Sequence, residues 1–129
     1  MSHILIIDDN PLQLRVRETI MRDAGFQVSI ATTAESALAL LKTQHRLFGA
    51  VITDHVLPKA SGADFVRELR KANSEIPVIV VSGMAEAEDE YEGLGVEFRQ
   101  KPLPPAELID LVQTALSVAD GQPGESSLT

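Results

Sequence analysis

Five short apolar runs, separated by stretches of helical periodicity, constrain this chain more than any other feature of its sequence. The runs are 3–8 "HILIID", 26–30 "FQVSI", 49–53 "GAVIT", 77–81 "PVIVV" and 95–99 "GVEFR". Strands that alternate with helices fold into a parallel sheet through right-handed crossovers. "ILII", "AVI" and "VIVV" are continuously apolar, as expected of strands covered on both faces, whereas "FQVSI" and "VEFR" alternate as half-exposed edges do. Strands 2 and 5 therefore belong at the edges. The expected fold is α/β, a doubly wound five-stranded parallel sheet of order 2-1-3-4-5 with helices on both faces.

The helical stretches carry their own markers. Ala34, Ala37, Leu38 and Leu41 recur at helical spacing, as do Gly62, Phe65, Val66 and Leu69, and Leu108, Leu111, Val112 and Ala115. For the first helix the stripe Leu12, Val16, Ile20 and Ala24 is the expected core face. Leu14 lies about 200° around the helix from Leu12, which leaves it as an exposed leucine beside the strand ends. Asn10-Pro11 with Gln13 reads as a helix cap with proline at the first helical position, Thr32 with Glu35 as a capping box, and Gly25 as a stop.

At 129 residues, 44% of them apolar, the chain is long enough for one domain with a substantial core. That domain is expected over residues 1–118, with 119–129 as a polar tail or linker start. The chain has no cysteine, which excludes thiol chemistry and disulfides. A formal net charge of −8 argues against direct contact with nucleic acid, which needs a basic face. With no membrane span and no signal-peptide core, a cytoplasmic protein is expected.

The chemistry gathers at one edge. In a parallel doubly wound sheet all strands end on the same side, and ligands bind where the strand order reverses, between strands 1 and 3. Asp8 and Asp9 end strand 1, and Asp54 ends strand 3. Carboxylates on strands about 4.8 Å apart share one cleft and raise one another's pKa unless a cation sits among them. Oxygen-only ligands suit Mg²⁺, which keeps waters and favours phosphate chemistry. Ser82 ends strand 4 and Lys101 follows strand 5, so a hydroxyl donor and an ammonium flank the same edge. A carboxylate nucleophile, a metal, a hydroxyl and a cation together make a site for a phosphoryl group on Asp54.

In "DD" at 8–9, Asp54 with Pro58 and Gly62 downstream, "SG" at 82–83 and "KP" at 101–102, the sequence resembles the receiver domains of two-component response regulators, over about residues 3–118. The resemblance implies a flavodoxin-like, CheY-like fold with Asp54 as phosphoacceptor. It implies Mg²⁺ held by Asp9, Asp54 and the backbone carbonyl of Val56, with Asp8 acting through water. Ser82 and Lys101 would contact phosphoryl oxygens, the Lys101-Pro102 bond would be cis, and Phe98 would be a switch aromatic. The implied donor is a sensor histidine kinase or a histidine phosphotransfer protein. The implied output is a changed helix 4–strand 5–helix 5 face, read by a downstream protein effector. Such a module is no enzyme beyond its own phosphorylation and slow dephosphorylation.

Two departures stand out. The segment between Ser82 and Lys101 is shorter than the family's by roughly one helical turn; within it the acid run "EAEDEYE" at 86–92, no departure in itself, reads as a solvated helix face. The last helix has no Lys or Arg, unlike the dimer faces of many DNA-binding regulators, which argues against an output of that type. His3, His45 and His55 show no ligand spacing. Two other classes remain to be weighed. A small phosphoaspartyl phosphatase would want a second acid two residues past the nucleophile, where Val56 stands. A flavin carrier would want a Ser/Thr/Gly-rich loop in place of "DDNPLQ".

Overall fold

A computed structural model of the chain describes residues 3–44 and 46–119, with the side chains of 118 and 119 left aside. The expected tail therefore falls almost wholly outside the described residues, as does His45. Strands β1 (His3–Ile7), β2 (Gln27–Ala31), β3 (Ala50–Asp54), β6 (Val78–Ser82) and β7 (Val96–Gln100) form one parallel sheet of order β2-β1-β3-β6-β7. This is the expected order, with β6 and β7 as the fourth and fifth strands. Between β3 and β6, Val56–Leu57 (β4) and Ala60–Ser61 (β5) pair as a small antiparallel hairpin around Pro58-Lys59. Lys59 takes a positive φ of 62° there, the left-handed position where such a turn favours glycine.

Burial separates central from edge strands. β3 and β6 are buried at every residue, β2 buries Val28 and Ala31 but leaves Ile30 40% exposed, and β7 has no fully buried residue. Helices α2 (Ala34–Thr43) and α3 (Gly62–Ala72) cover one face of the sheet through Ala37, Leu41, Phe65, Val66 and Leu69. Helices α1 (Pro11–Asp23) and α4 (Pro105–Ala119) cover the other through Leu14, Met21, Leu108 and Val112. No helix among the described residues is long and apolar enough to cross a membrane.

Three local expectations are corrected. The face of α1 that meets the sheet carries Leu14, Arg17 and Met21, while Leu12 is 75% and Val16 50% exposed. The helix is turned so that Arg17 meets Asp8 on β1's end at 3.2 Å, and this ion pair overrides the better-looking apolar stripe. The cap of α2 is Thr33 rather than Thr32, because its hydroxyl accepts from the Ser36 amide at 3.0 Å. The other caps hold: Asn10 accepts from the amides of Leu12 and Gln13, and Gly25 follows α1 with φ +100°.

The third correction concerns the crossover from β6 to β7, which contains no α-helix. A 3₁₀ helix, Ala85–Tyr91, takes its place. The reason is reach. A 3₁₀ helix rises about 2.0 Å per residue against about 1.5 Å for an α-helix, so fewer residues span the depth of the sheet. Glu86, Glu88, Asp89 and Glu90 are exposed, but Ala87 and Tyr91 point inward, so the run is not a purely solvated face.

This short segment is fastened from below. Arg67 on α3 donates to the Glu90 carbonyl at 3.3 Å. Arg70 donates to the carbonyls of Leu94 (2.8 Å) and Gly95 (3.1 Å), and also to those of Asn73 and Ile76. The Tyr91 hydroxyl meets His55 Nδ1 at 2.7 Å, in the interior. With His55 Nε2 facing Glu90 at 3.6 Å, the geometry fits a tyrosine hydroxyl that donates to Nδ1.

Two stability outcomes follow from these anchors. Arg70→Ala leaves several partly buried carbonyls without a donor and lowers the unfolding free energy by about 2 kcal/mol; Arg70→Lys, lacking the planar fork, recovers only part of the loss. Tyr91→Phe keeps the ring but orphans the buried His55 Nδ1, at a cost of about 1–3 kcal/mol. Urea unfolding of each variant against the parent measures both, and parent-like midpoints would show that the crossover is held by other contacts.

Candidate functional site

The register of the sheet brings the acids together. Ile7 is level with Thr53, so Asp8 and Asp54, each one residue further on, emerge side by side at the same edge. Asp54 is in turn level with Val81, which places Ser82 one residue beyond it on the neighbouring strand. This is the point where the strand order reverses.

Each carboxylate finds different company. Asp54 is nearly buried; its Oδ1 accepts from the His55 amide at 2.7 Å and its Oδ2 from Lys101 Nζ at 3.0 Å. Asp8 is fully buried; its Oδ1 accepts from the Asn10 amide at 2.9 Å and its Oδ2 from Arg17 at 3.2 Å. Burial pushes the Asp8 carboxyl above its ordinary pKa. The Asn10 N–H, Arg17 and Lys101 pull it down, and the charge of Asp54 adds to the rise. Asp9 is exposed and belongs to neither ion pair.

The flanking groups are just as specific. Lys101 Nζ donates both to Asp54 and to Gln13 Oε1 on α1, at 2.9 Å. Its backbone N–H donates to the Ser82 carbonyl at 2.7 Å, which ties the ends of β6 and β7 together. The Ser82 hydroxyl, buried, accepts from the Met84 amide at 2.9 Å. The Lys101-Pro102 bond is cis. Phe98 is half-buried, with its ring centroid 5.7 Å from that of Tyr91. Val56 and Met84 stand exposed at the rim, at 57% and 43%.

Gly62 has a steric reason to lack a side chain. A Cβ there would overlap the Tyr91 hydroxyl and sit 2.6 Å from the Asp54 carbonyl oxygen and 3.0 Å from His55 Cα. Its N–H also donates to the His55 carbonyl at 2.6 Å, which closes the loop after the acid.

Among the described residues, no group of three or more His, Cys, Asp or Glu side chains is arranged as a closed metal cage. The donor set fits a different mode. Mg²⁺ keeps several waters and is held by one or two carboxylates, and Asp54 with the exposed Asp9, one residue past the end-of-strand Asp8, offers that oxygen-only, open chemistry.

The sequence pattern missed four residues of this edge: Gln13, Arg17, His55 and Tyr91. For Arg17 a signal existed, since a charge between Leu14 and Met21 on a helix that follows two acids implies a buried partner. The others come from elements whose orientation spacing does not reveal. His3, for its part, pairs with Ser29 Oγ at 2.9 Å on the far side of the sheet and takes no part here.

Comparison with known proteins agrees with this fold. The family model of the response regulator receiver domain matches residues 4–113. A probable transcriptional regulator, ycf27, from Porphyridium aerugineum is 30% identical over 128 residues, 97% of this chain and 52% of that protein. The response regulator SaeR from Staphylococcus aureus is 25% identical over 120 residues, 91% of this chain and 51% of its own. The chain thus spans about half the length of the curated relatives it matches. Among solved structures, a response regulator receiver domain protein from Clostridium thermocellum superposes with a TM-score of 0.88 at 25% identity, covering 93% of this chain and 98% of that one. A CheY-like receiver domain protein from Methanospirillum hungatei gives 0.85 at 26%, covering 94% and 98%. The chain belongs to the response regulator receiver domain family.

Proposed function

We propose that this receiver is a phosphorylation switch in which Asp54 accepts a phosphoryl group from a sensor histidine kinase or a histidine phosphotransfer protein. The observation that carries the reading is the contact of Lys101 Nζ with Asp54 Oδ2 at 3.0 Å across two strands. An ammonium held there can meet the charge that develops on a transferring phosphoryl group. A carboxylate oxygen of Asp54 attacks phosphorus while the phosphorus–nitrogen bond to the donor histidine breaks, and the electron pair of that bond leaves with the imidazole. Asp9, Asp54 and the Val56 carbonyl are the residues that would hold Mg²⁺, with Asp8 acting through water. The ion, when bound, supplies charge neutralisation at the phosphoryl oxygens. Ser82 would leave the Met84 amide to donate to a phosphoryl oxygen, and Phe98 would turn inward into the space it vacates.

The partner's approach is supported by α1. Leu12 and Val16 lie exposed on its outer side, next to a groove of about 590 Å³ whose wall runs from Ile20 through Leu103 and Pro105 to Lys101. A phosphohistidine-bearing helix seated there lies beside Asp54. Leu14, expected to be exposed beside the strand ends, is buried and takes no part in that surface. The chain's own output is to a protein effector, since its formal net charge is −8 and the crossover exposes Glu86, Glu88, Asp89 and Glu90. The missing α-helix moves that output face to the 3₁₀ segment, β7 and α4.

Asp54→Asn and Asp54→Ala are expected to abolish the phosphoadduct formed with acetyl phosphate and Mg²⁺. Intact-protein mass spectrometry that finds an unchanged adduct on either variant would remove Asp54 from the role.

The second outcome concerns persistence. Val56 and Met84 flank the cleft with apolar side chains that neither hydrogen-bond nor orient a water, and exclusion of water protects a reactive acyl phosphate. Self-dephosphorylation is therefore slow. The double variant Val56→Asn with Met84→Glu is expected to lose its phosphoryl group about ten times faster, as read by decay of the phosphorylated protein, and equal decay would sink the explanation.

A further inference from the structure

We propose that Arg17 is a built-in counter-ion that holds Asp8 and competes with the divalent cation, so that metal affinity in this receiver is set from α1. The inference rests on the Mg²⁺ reading above and concerns a residue that the reading leaves unused.

Arg17 lies on the sheet-facing side of α1, between Leu14 and Met21, and is only 8% exposed. An apolar side chain like its two neighbours would fill that interface without desolvating a charge. What the guanidinium gains is Asp8: Nη1 donates to Oδ2 at 3.2 Å, while the Asn10 amide takes Oδ1 at 2.9 Å. Both oxygens of the fully buried acid are therefore engaged by the protein itself, as both oxygens of Asp54 are by the His55 amide and Lys101, and on the Mg²⁺ reading above Asp9 and Asp54 would be the direct ligands. At the next strand end Lys101 does the same for Asp54. Three carboxylates thus face two protein cations, and the net charge left to attract a divalent ion is that of one carboxylate.

Of the two cations, Lys101 is reserved for the phosphoryl group, whereas Arg17 contacts the acid edge through Asp8 alone. A metal ion that draws on Asp8, even through water, must either loosen that pair or accept a guanidinium charge nearby. Either one weakens binding. A residue that merely orients Asp8 would have the opposite effect, because its loss would weaken metal binding.

The test is Mg²⁺ titration by calorimetry, repeated with Mn²⁺ followed by electron paramagnetic resonance, on the parent, Arg17→Gln, Arg17→Met, Arg17→Lys and Asp9→Ala. The two neutral variants are expected to bind about tenfold tighter than the parent, from removal of one unit charge in a medium of intermediate dielectric. Arg17→Lys, which keeps the charge, stays within about threefold of the parent. Unchanged or weaker affinity in both neutral variants overturns the proposal. A loss of binding in Asp9→Ala without any gain in the Arg17 variants removes the proposal alone. Parent-like binding in Asp9→Ala removes the Mg²⁺ reading with it. Should Arg17→Met fold only when Mg²⁺ is added, as followed by circular dichroism, the ion has replaced the guanidinium and the proposal stands. If it stays unfolded at every Mg²⁺ concentration and Arg17→Gln gains no affinity, the proposal falls.

Discussion

A negative charge at the end of a fully buried strand is the constraint that organises this molecule. β3 is covered on both faces along its whole length, and Asp54 ends it almost without access to water. An unpaired carboxylate in such a place costs several kcal/mol. Lys101 answers it from just past the end of the edge strand β7, reaching across β6, and the same ammonium also meets Gln13 on α1. One side chain thus joins elements from both ends of the chain. The sheet order and the cleft are two aspects of this arrangement, because only an order that brings the end of the fifth strand near the third lets the lysine reach.

Asp8 poses the same problem one strand over, and its solution shapes α1. To bring Arg17 onto Asp8 the helix turns Leu12 and Val16 outward, so the ion pair that satisfies a buried acid also leaves an apolar ridge beside the cleft. Burial still pushes the Asp8 carboxyl up, so a cost remains at this edge. A helix oriented by hydropathy alone would bury that ridge and strand both charges. The stability of the sheet and the shape of the face beside Asp54 are therefore set by the same contact.

This explains which features could be read from the residues. The strands were legible because continuous and alternating apolar runs report directly on burial of each face. The acids, Ser82 and Lys101 were legible because they sit at strand ends, whose common side follows from parallel topology. The orientation of α1 was not, since counting apolar residues gives no weight to an arginine that buries itself for a charge. Nor was the 3₁₀ form of the acid run. Its residues tolerate an α-helix, and the deciding factors are the reach between β6 and β7 and the carbonyls that Arg67 and Arg70 collect. Tyr91 and His55 stand 36 residues apart, and nothing in local spacing announces a contact that only the closed fold creates.

The shortened crossover also decides how movement at the cleft can spread. At its start, the Met84 amide is held by the hydroxyl of Ser82 alone among the side chains. At its end, Tyr91 is held by His55, by the ring of Phe98 and by the neighbouring Glu90 carbonyl on Arg67. The two ends are thus fastened to different things: the first to a residue that a phosphoryl group would recruit, the second to the strand–loop junction that follows Asp54 and to α3. A shift of the Ser82 hydroxyl releases only the first end, so the 3₁₀ helix would swing about Tyr91 rather than translate as a body. A full α-helix, with its own ladder of backbone hydrogen bonds and a wider apolar contact, would resist such a one-ended release. On the proposed switch reading, the few residues of the crossover would keep the response local and place its fixed point beside Gly62, where no side chain can stand between Tyr91 and the loop that carries the acid.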